Sequence, residues 1–411
     1  MENYIKHGFT SLFMLIGVVG KANVGKSTFF KALTLADVEI ANYPFATIKP
    51  NHGIGFVSTE CADKFFGVQC NPREGFCIKH KRFIPVDVID VAGLVPGAHA
   101  GKGMGNQFLD DLRQADALIH VIDASGGTNE KGEPVEPGSY DPANDILFLE
   151  KELDMWYLGI IKKGWERFAR QVMQEHTEIE KALAKQLTGL KVTEEMVKKA
   201  ISELSLNKDN PVSWSEEDLL RMATYLRKKT KPMVIAANKM DIEVAQQNIL
   251  RLKEKFPDKI IIGCSAESEL ALKEAAKKKL IDYIPGDNKF EVLKPDELSE
   301  KQKAALDFLR GFLQKFDSTG VQETINAAVF KLLKYKAIFP GGVNKLADSN
   351  GNILPDCFLM PPDATALDFA YKLHTDFGRN FIKAINVKTK MPIAKDHVLE
   401  HGDVIEIIAG K

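Results

Sequence analysis

Residues Gly20-Lys-Ala-Asn-Val-Gly-Lys-Ser27 constrain this chain more than any other stretch, because they stand between a short apolar run, Leu15 to Val19, and the helix-forming Thr28-Phe-Phe-Lys-Ala-Leu33. The order is strand, glycine-rich loop, helix. Two glycines let backbone N–H groups converge on an anion, and the start of a helix adds a favourable partial charge, so the pattern describes a cradle for a phosphate chain. In such a cradle the backbone of Gly20, Lys21, Ala22, Asn23, Val24 and Gly25 wraps the phosphates, Lys26 reaches the terminal ones, Ser27 offers a hydroxyl to Mg²⁺, and Thr28 follows. A parallel sheet with helices on both faces is the fold class that uses this unit.

Further along, the pieces that would complete a nucleotide site occur in order. Asp90-Val-Ala-Gly93 closes an apolar run from Ile84, with Asp90 able to hold Mg²⁺ through water and the Gly93 N–H able to meet a γ-phosphate. Asn238-Lys-Met-Asp241 follows the apolar run Pro232 to Ala237. The Asp241 carboxylate can accept from N1–H and the 2-amino group of guanine, whereas adenine offers neither donor there. Asn238 braces that loop, and the Lys239 stem covers the ring. Cys264-Ser265-Ala266-Glu267 comes after another strand-like run, and the Ala266 N–H is placed to meet guanine O6, with Ser265 and Glu267 beside it. Thr47, in the loop Asn42 to Pro50, is the candidate to close over Mg²⁺ and the γ-phosphate. The glycine-rich stretch Leu94 to Phe108 reads as a second switch.

These motifs resemble the Obg-type GTPases and, among them, the YchF group in its archaeal form, over nearly the whole chain. The most specific matches are Ala22 to Ser27, Tyr43-Pro-Phe-Ala-Thr47, Asp90-Val-Ala-Gly-Leu-Val-Pro-Gly-Ala98 and Gly105-Asn-Gln-Phe-Leu109. The resemblance implies a P-loop G domain that binds GTP and GDP with Mg²⁺ and hydrolyses GTP. Bacterial and eukaryotic YchF members look altered at the base-reading motif and favour ATP; here Asn238 to Asp241 is intact, so GTP is expected. Leu94 stands where many small GTPases carry a water-orienting glutamine, so unassisted turnover should be slow. Relatives with asparagine at the position of Asn23 look as if they hold K⁺ beside the phosphates, which implies a K⁺ site there. His99 and His120 are the other chemically able groups nearby.

Gly93 and Asn238 are separated by 144 residues, more than a minimal G domain needs. The surplus, residues 144–229, is rich in helix formers and reads as an inserted helical hairpin or coiled-coil arm. The chain therefore divides into an extension at 1–13, G-domain parts at 14–143 and 230–340 (the latter with connecting helices), the insert at 144–229 and a last domain at 341–411. Pro362-Asp-Ala-Thr365, Asp368-Phe-Ala, His374, Gly378 and Gly402-Asp403 make that last part resemble a β-grasp TGS domain, which implies ribosome or RNA contact.

With 411 residues, a net charge of -1 and a pI near 6.8, the chain has room for several cores and no global attraction to nucleic acid or membrane. Five cysteines, at 61, 70, 77, 264 and 357, include no CxxC pair, which argues against a disulfide framework and an ordinary zinc site and fits a reducing cytoplasm. The apolar run Leu12 to Val19 falls short of the ~20 residues that span a bilayer. Two other readings remain, a nucleotide-dependent metabolic enzyme and a binding scaffold with vestigial hydrolysis. No second constellation of acids and bases in the sequence favours the former. Oligomeric state is not legible.

Overall fold

A computed structural model describes residues 14–35, 51–91 and 112–410. Thr47, Gly93, Leu94 and His99, and with them both expected switches, lie outside those residues. Strands are numbered along the chain: β1 Leu15–Val19, β2 His52–Glu60, β3 Phe76–Ile78, β4 Lys81–Asp90, β5 Ala117–Asp123, β6 Met233–Asn238 and β7 Ile260–Gly263. They form one sheet in the order β2-β4-β1-β5-β6-β7, with β3 also paired to β4. The pairs β1·β4, β1·β5, β5·β6 and β6·β7 are all parallel. All seven residues of β5 are buried, which is why its sequence, Ala-Leu-Ile-His-Val-Ile-Asp, does not alternate between apolar and polar.

By its internal contacts the chain forms two compact units, one from Met1–Phe30 and Asp87–Ala266, the other from Lys31–Val86 and Glu267–Lys411. The first holds the central strands and the inserted helices. Those helices, Ala143–Lys162, Trp165–Gln174, Ile179–Gln186, Glu194–Glu203 and Glu216–Thr230, run from 8 to 20 residues. Their buried Trp156, Tyr157, Trp165 and Leu226, with Trp214 from the segment before the last helix, share one apolar core with Val19, Ile89 and Leu118 of the sheet. The insert is thus packed onto the unit that carries it. Ser215 and Asp218 close a reciprocal cap at the start of its last helix, as the Ser-Glu-Glu-Asp sequence leads one to expect.

In the second unit a five-stranded sheet has the order β11-β10-β14-β12-β13. Its strands follow the small β8 (Ile281–Tyr283) and β9 (Phe290–Val292) pair, and are β10 Lys336–Pro340, β11 Phe358–Met360, β12 Phe381–Asn386, β13 Met391–Ile393 and β14 Val404–Ala409. The helix Ala366–Leu373, capped by Thr365 and Asp368, lays Ala366 and Phe369 against Ile338, Met360, Ala384 and Ile405. A mixed sheet holding one helix is the β-grasp arrangement that the sequence suggested. Among the described residues no helix is long and apolar enough to cross a membrane.

Candidate nucleotide site

The loops of interest leave the C-terminal ends of β1, β5, β6 and β7, the edge at which open parallel sheets bind ligands. After β1, the loop 20–25 turns into the helix Lys26–Thr34. Gly25 has φ +86°, and a side chain there would put its Cβ 2.3 Å from the Asn238 amide nitrogen. A Cβ at Gly20 would meet the Val121 carbonyl at 2.6 Å. Glycine at both positions is therefore a packing requirement as well as an opening for phosphate.

Asn238 ties the phosphate loop to the base-reading loop. Its Nδ2 donates to the Val24 carbonyl at 2.9 Å, and its Oδ1 accepts from the Ala266 N–H at 3.0 Å. The bracing role expected of Asn238 thus has a geometry. It also engages the Ala266 N–H, so a guanine O6 would share that donor rather than find it idle. Bonds from Met240 N to Cys264 O and from Cys264 N to Ala237 O fix the loop that presents Asp241, whose side chain is exposed. Ser265 is buried, and Glu267 is exposed near the start of the helix Ala266–Lys277.

At the phosphate end, the Lys26 ammonium pairs with the Asp90 carboxylate, both side chains being largely shielded. The cation expected to reach phosphate and the anion expected to serve a metal's water shell therefore neutralise each other. Ser27 is exposed one residue on. An exposed hydroxyl beside a carboxylate at the end of β4 is an oxygen donor set suited to Mg²⁺.

Three partners were not legible in the motifs. Asp123, at the end of β5, accepts from Lys239 Nζ at 2.8 Å, from the Ser125 N–H at 3.0 Å and from the Ser125 and Thr128 hydroxyls. Burial opposes its charge, yet these bonds outweigh burial and hold the carboxyl below its ordinary range. The loop that follows places the Gly132 carbonyl 2.8 Å from Asn23 Nδ2. Asn23 itself has φ 62°. The Lys21 side chain turns inward: its ammonium bonds Asp145 at 2.8 Å and the Thr128 carbonyl at 2.9 Å and lies 4.1 Å over the Tyr140 ring. Only the backbone of Lys21 is then left for phosphate. Burial raises the Asp145 carboxyl, more than Lys21 and Tyr140 lower it. None of these contacts follows from spacing, because Asp145 and Lys21 are 124 residues apart and meet only once the insert is folded.

His120 sits inside β5, 3% exposed, and burial pushes its pKa down to about 3. Burial thus keeps it neutral at ordinary pH. Its folded-state pKa lies below the unfolded value of ~6.5, so the proton favours the unfolded chain. Stability should be unaffected by this group above pH ~6.5 and fall as pH drops towards 3, by up to ~1.4 kcal/mol per pH unit. Urea unfolding between pH 7 and 4 checks this: His120→Gln should flatten the acid limb, and an unchanged slope would refute the assignment.

Known proteins resemble this chain over most of its length. Residues 15–147 match the family described as 50S ribosome-binding GTPase, 236–342 the Obg-like GTPase YGR210-like, G4 motif-containing domain, and 350–409 the TGS domain. A GTP-binding protein of Methanocaldococcus jannaschii is 50% identical over 96% of this chain and 99% of its own. A protein of Bacillus subtilis named ribosome-binding ATPase YchF is 28% identical over 95% of this chain and 97% of its own. The crystal structure of a GTP-binding protein from Pyrococcus horikoshii superposes with a TM-score of 0.77 at 40% identity, covering 97% of this chain and all of that one.

Proposed function

Since the chain belongs to the Obg-like, YchF-type GTPases, we propose that it is a cytoplasmic protein that binds GTP with Mg²⁺, hydrolyses it slowly, and presents its two nucleotide states to the ribosome or an RNA-bound complex. The observation that carries the nucleotide reading is the Asn238 bridge, which holds the phosphate loop and the Asp241 loop as one site. With GTP bound, the Lys26 ammonium would move from Asp90 to the β- and γ-phosphates, and Asp90 and Ser27 are the residues that would hold Mg²⁺, the first through water and the second by its hydroxyl. Mg²⁺, when bound, neutralises charge on the transferring phosphoryl group. Lys239 keeps its ammonium on Asp123, and its stem is thereby laid across the base. The division at about 144, 230 and 341 belongs to the same reading and is supported by the spans of the three matched families.

With Leu94 in place of a glutamine, the attacking water lacks an orienting side chain at that position, so an assisting charge is worth roughly 10³–10⁵ in rate. Asn23, held in a left-handed conformation beside the phosphate loop, is the residue to ligate K⁺ there. Hydrolysis is then expected to run faster in K⁺ than in Na⁺ buffer, and equal rates would end this part of the proposal. The ribosomal role draws on relatives named as ribosome-binding and on the TGS match. Co-sedimentation with ribosomes in the presence of a GTP analogue, GDP or no nucleotide tests it: binding should follow nucleotide state, whereas identical pelleting in all three defeats the switch and favours a scaffold.

A further inference from the structure

Three cysteines that the sequence spaces irregularly meet in the second unit. Cys61 follows β2, Cys70 lies beyond the short helix Asp63–Phe66, and Cys77 sits in β3, whose hairpin to β4 turns through Lys79 and His80 at φ 48° and 63°. That turn brings the His80 carbonyl to the Cys61 N–H at 2.8 Å. The ligand atoms of Cys61, Asp63, Cys70 and Cys77 all lie within 4.8 Å of one another. Cys61 Sγ and Cys70 Sγ are 3.6 Å apart, and Cys77 Sγ is 3.8 Å from Asp63 Oδ2. A tetrahedral ion with ~2.3 Å bonds to sulfur sets its ligand atoms ~3.8 Å apart, so these edges are already those of a coordination polyhedron.

The surroundings ask for negative charge at the same place. Arg82 is 1% exposed, and its guanidinium donates to the Leu354 carbonyl at 3.1 Å, the Pro355 carbonyl at 2.8 Å and Cys70 Sγ at 3.6 Å. Its Nε has no partner, and among the described residues no carboxylate pairs with it. A buried cation facing only neutral acceptors is costly, and thiolates at the cluster would offset it. Asp63 is fully buried, accepts from the Cys70 N–H at 3.0 Å, and is held on its other oxygen by His80 Nδ1 at 2.9 Å. A histidine that orients a carboxylate in this way is a common outer partner of a metal ligand.

We propose that Cys61, Cys70, Cys77 and Asp63 bind one structural Zn²⁺ ion. Four anionic ligands, the ion and Arg82 together leave a single negative charge, and a closed set of four protein ligands with no open position makes the site structural rather than catalytic. The ion would pin the β3–β4 hairpin beside Leu354 and Pro355, next to the apolar cluster of Cys61, Cys70, Phe339, Leu354 and Val404. Sequence spacing hid the site because its ligands come from a strand end, a helix and a hairpin rather than from one CxxC knuckle.

The full-length protein, purified under reducing conditions, should carry about one zinc per chain by elemental analysis. After removal of zinc, Co²⁺ should give the visible bands of tetrahedral coordination with thiolate charge transfer. Cys77→Ser, at a half-buried position that should still fold by circular dichroism, is expected to weaken Zn²⁺ binding by more than ~100-fold. Cys61→Ser should do the same, and Cys357→Ser, outside the four, should retain the ion. Zinc retained by Cys77→Ser or lost from Cys357→Ser overturns the ligand set. Free thiols at all three positions with no Zn²⁺ or Co²⁺ bound, or a Cys61–Cys70 disulfide in the isolated protein, overturns the site itself.

Discussion

Asp241→Ala should lower GTP affinity by roughly 10²- to 10³-fold, about 3–4 kcal/mol, while leaving ATP affinity within a few fold of its starting value. Asp241 is exposed and its loop is fixed by Met240, Cys264 and Asn238, so the substitution removes two charge-assisted acceptors from the base and little from the fold. Guanine loses partners for N1–H and its amino group; adenine, which never had donors there, loses nothing. A complementary variant sharpens the test. Asp241→Asn presents one acceptor and one donor, which suits the N1–H and 2-carbonyl of xanthine, so XTP should replace GTP as the preferred ligand. Isothermal titration with GTP, ATP and XTP measures all of this, and parallel losses of GTP and ATP affinity would show that Asp241 supports the loop and does not read the base.

The second large effect is at the phosphate end. Lys26→Met is expected to reduce GTP hydrolysis by roughly 10²–10³-fold, because a preorganised charge is lost where negative charge is redistributed in the transition state. It should also destabilise the nucleotide-free protein by ~1–2 kcal/mol, since it strands Asp90 in a largely shielded place. The figure is held below that of a deeply buried pair because both side chains retain some solvent contact. Pairing the change with Asp90→Asn separates the two effects. Urea unfolding of Lys26→Met/Asp90→Asn should recover most of the stability, whereas single-turnover hydrolysis should stay low. Recovery of both would mean that Lys26 acts only through Asp90.

Much of this site was legible because its chemistry is local. A phosphate loop needs glycines within one turn of a strand and a helix, and a guanine reader needs a carboxylate three residues from an asparagine, so the roles proposed for residues 20–28 and 238–241 can be argued from spacing alone. The β-grasp domain was legible for a related reason, since its Thr365–Asp368 cap and short strands leave marks over a few residues. What the sequence did not yield is long-range. Lys21 with Asp145, Asn23 with Gly132 and Lys239 with Asp123 are pairings 109 residues or more apart, made by the end of β5, the loop after it and the insert, and a lysine alone does not say whether it faces phosphate or a buried acid. The cysteines are the sharpest instance. Their spacings of nine and seven residues looked unsuited to a metal, yet a helix of four residues and a hairpin fold those spacings into one pocket.

A site built for guanine that turns GTP over should show both properties in the wild-type chain. Equilibrium affinities for GTP and ATP, measured side by side on the wild-type chain with Mg²⁺ and K⁺ and followed by phosphate release from each, test it most directly. GTP should bind at least ~10²-fold more tightly than ATP, with slow phosphate release from GTP that exceeds the release from ATP. Equal affinity for the two nucleotides, or release from ATP alone, would contradict it.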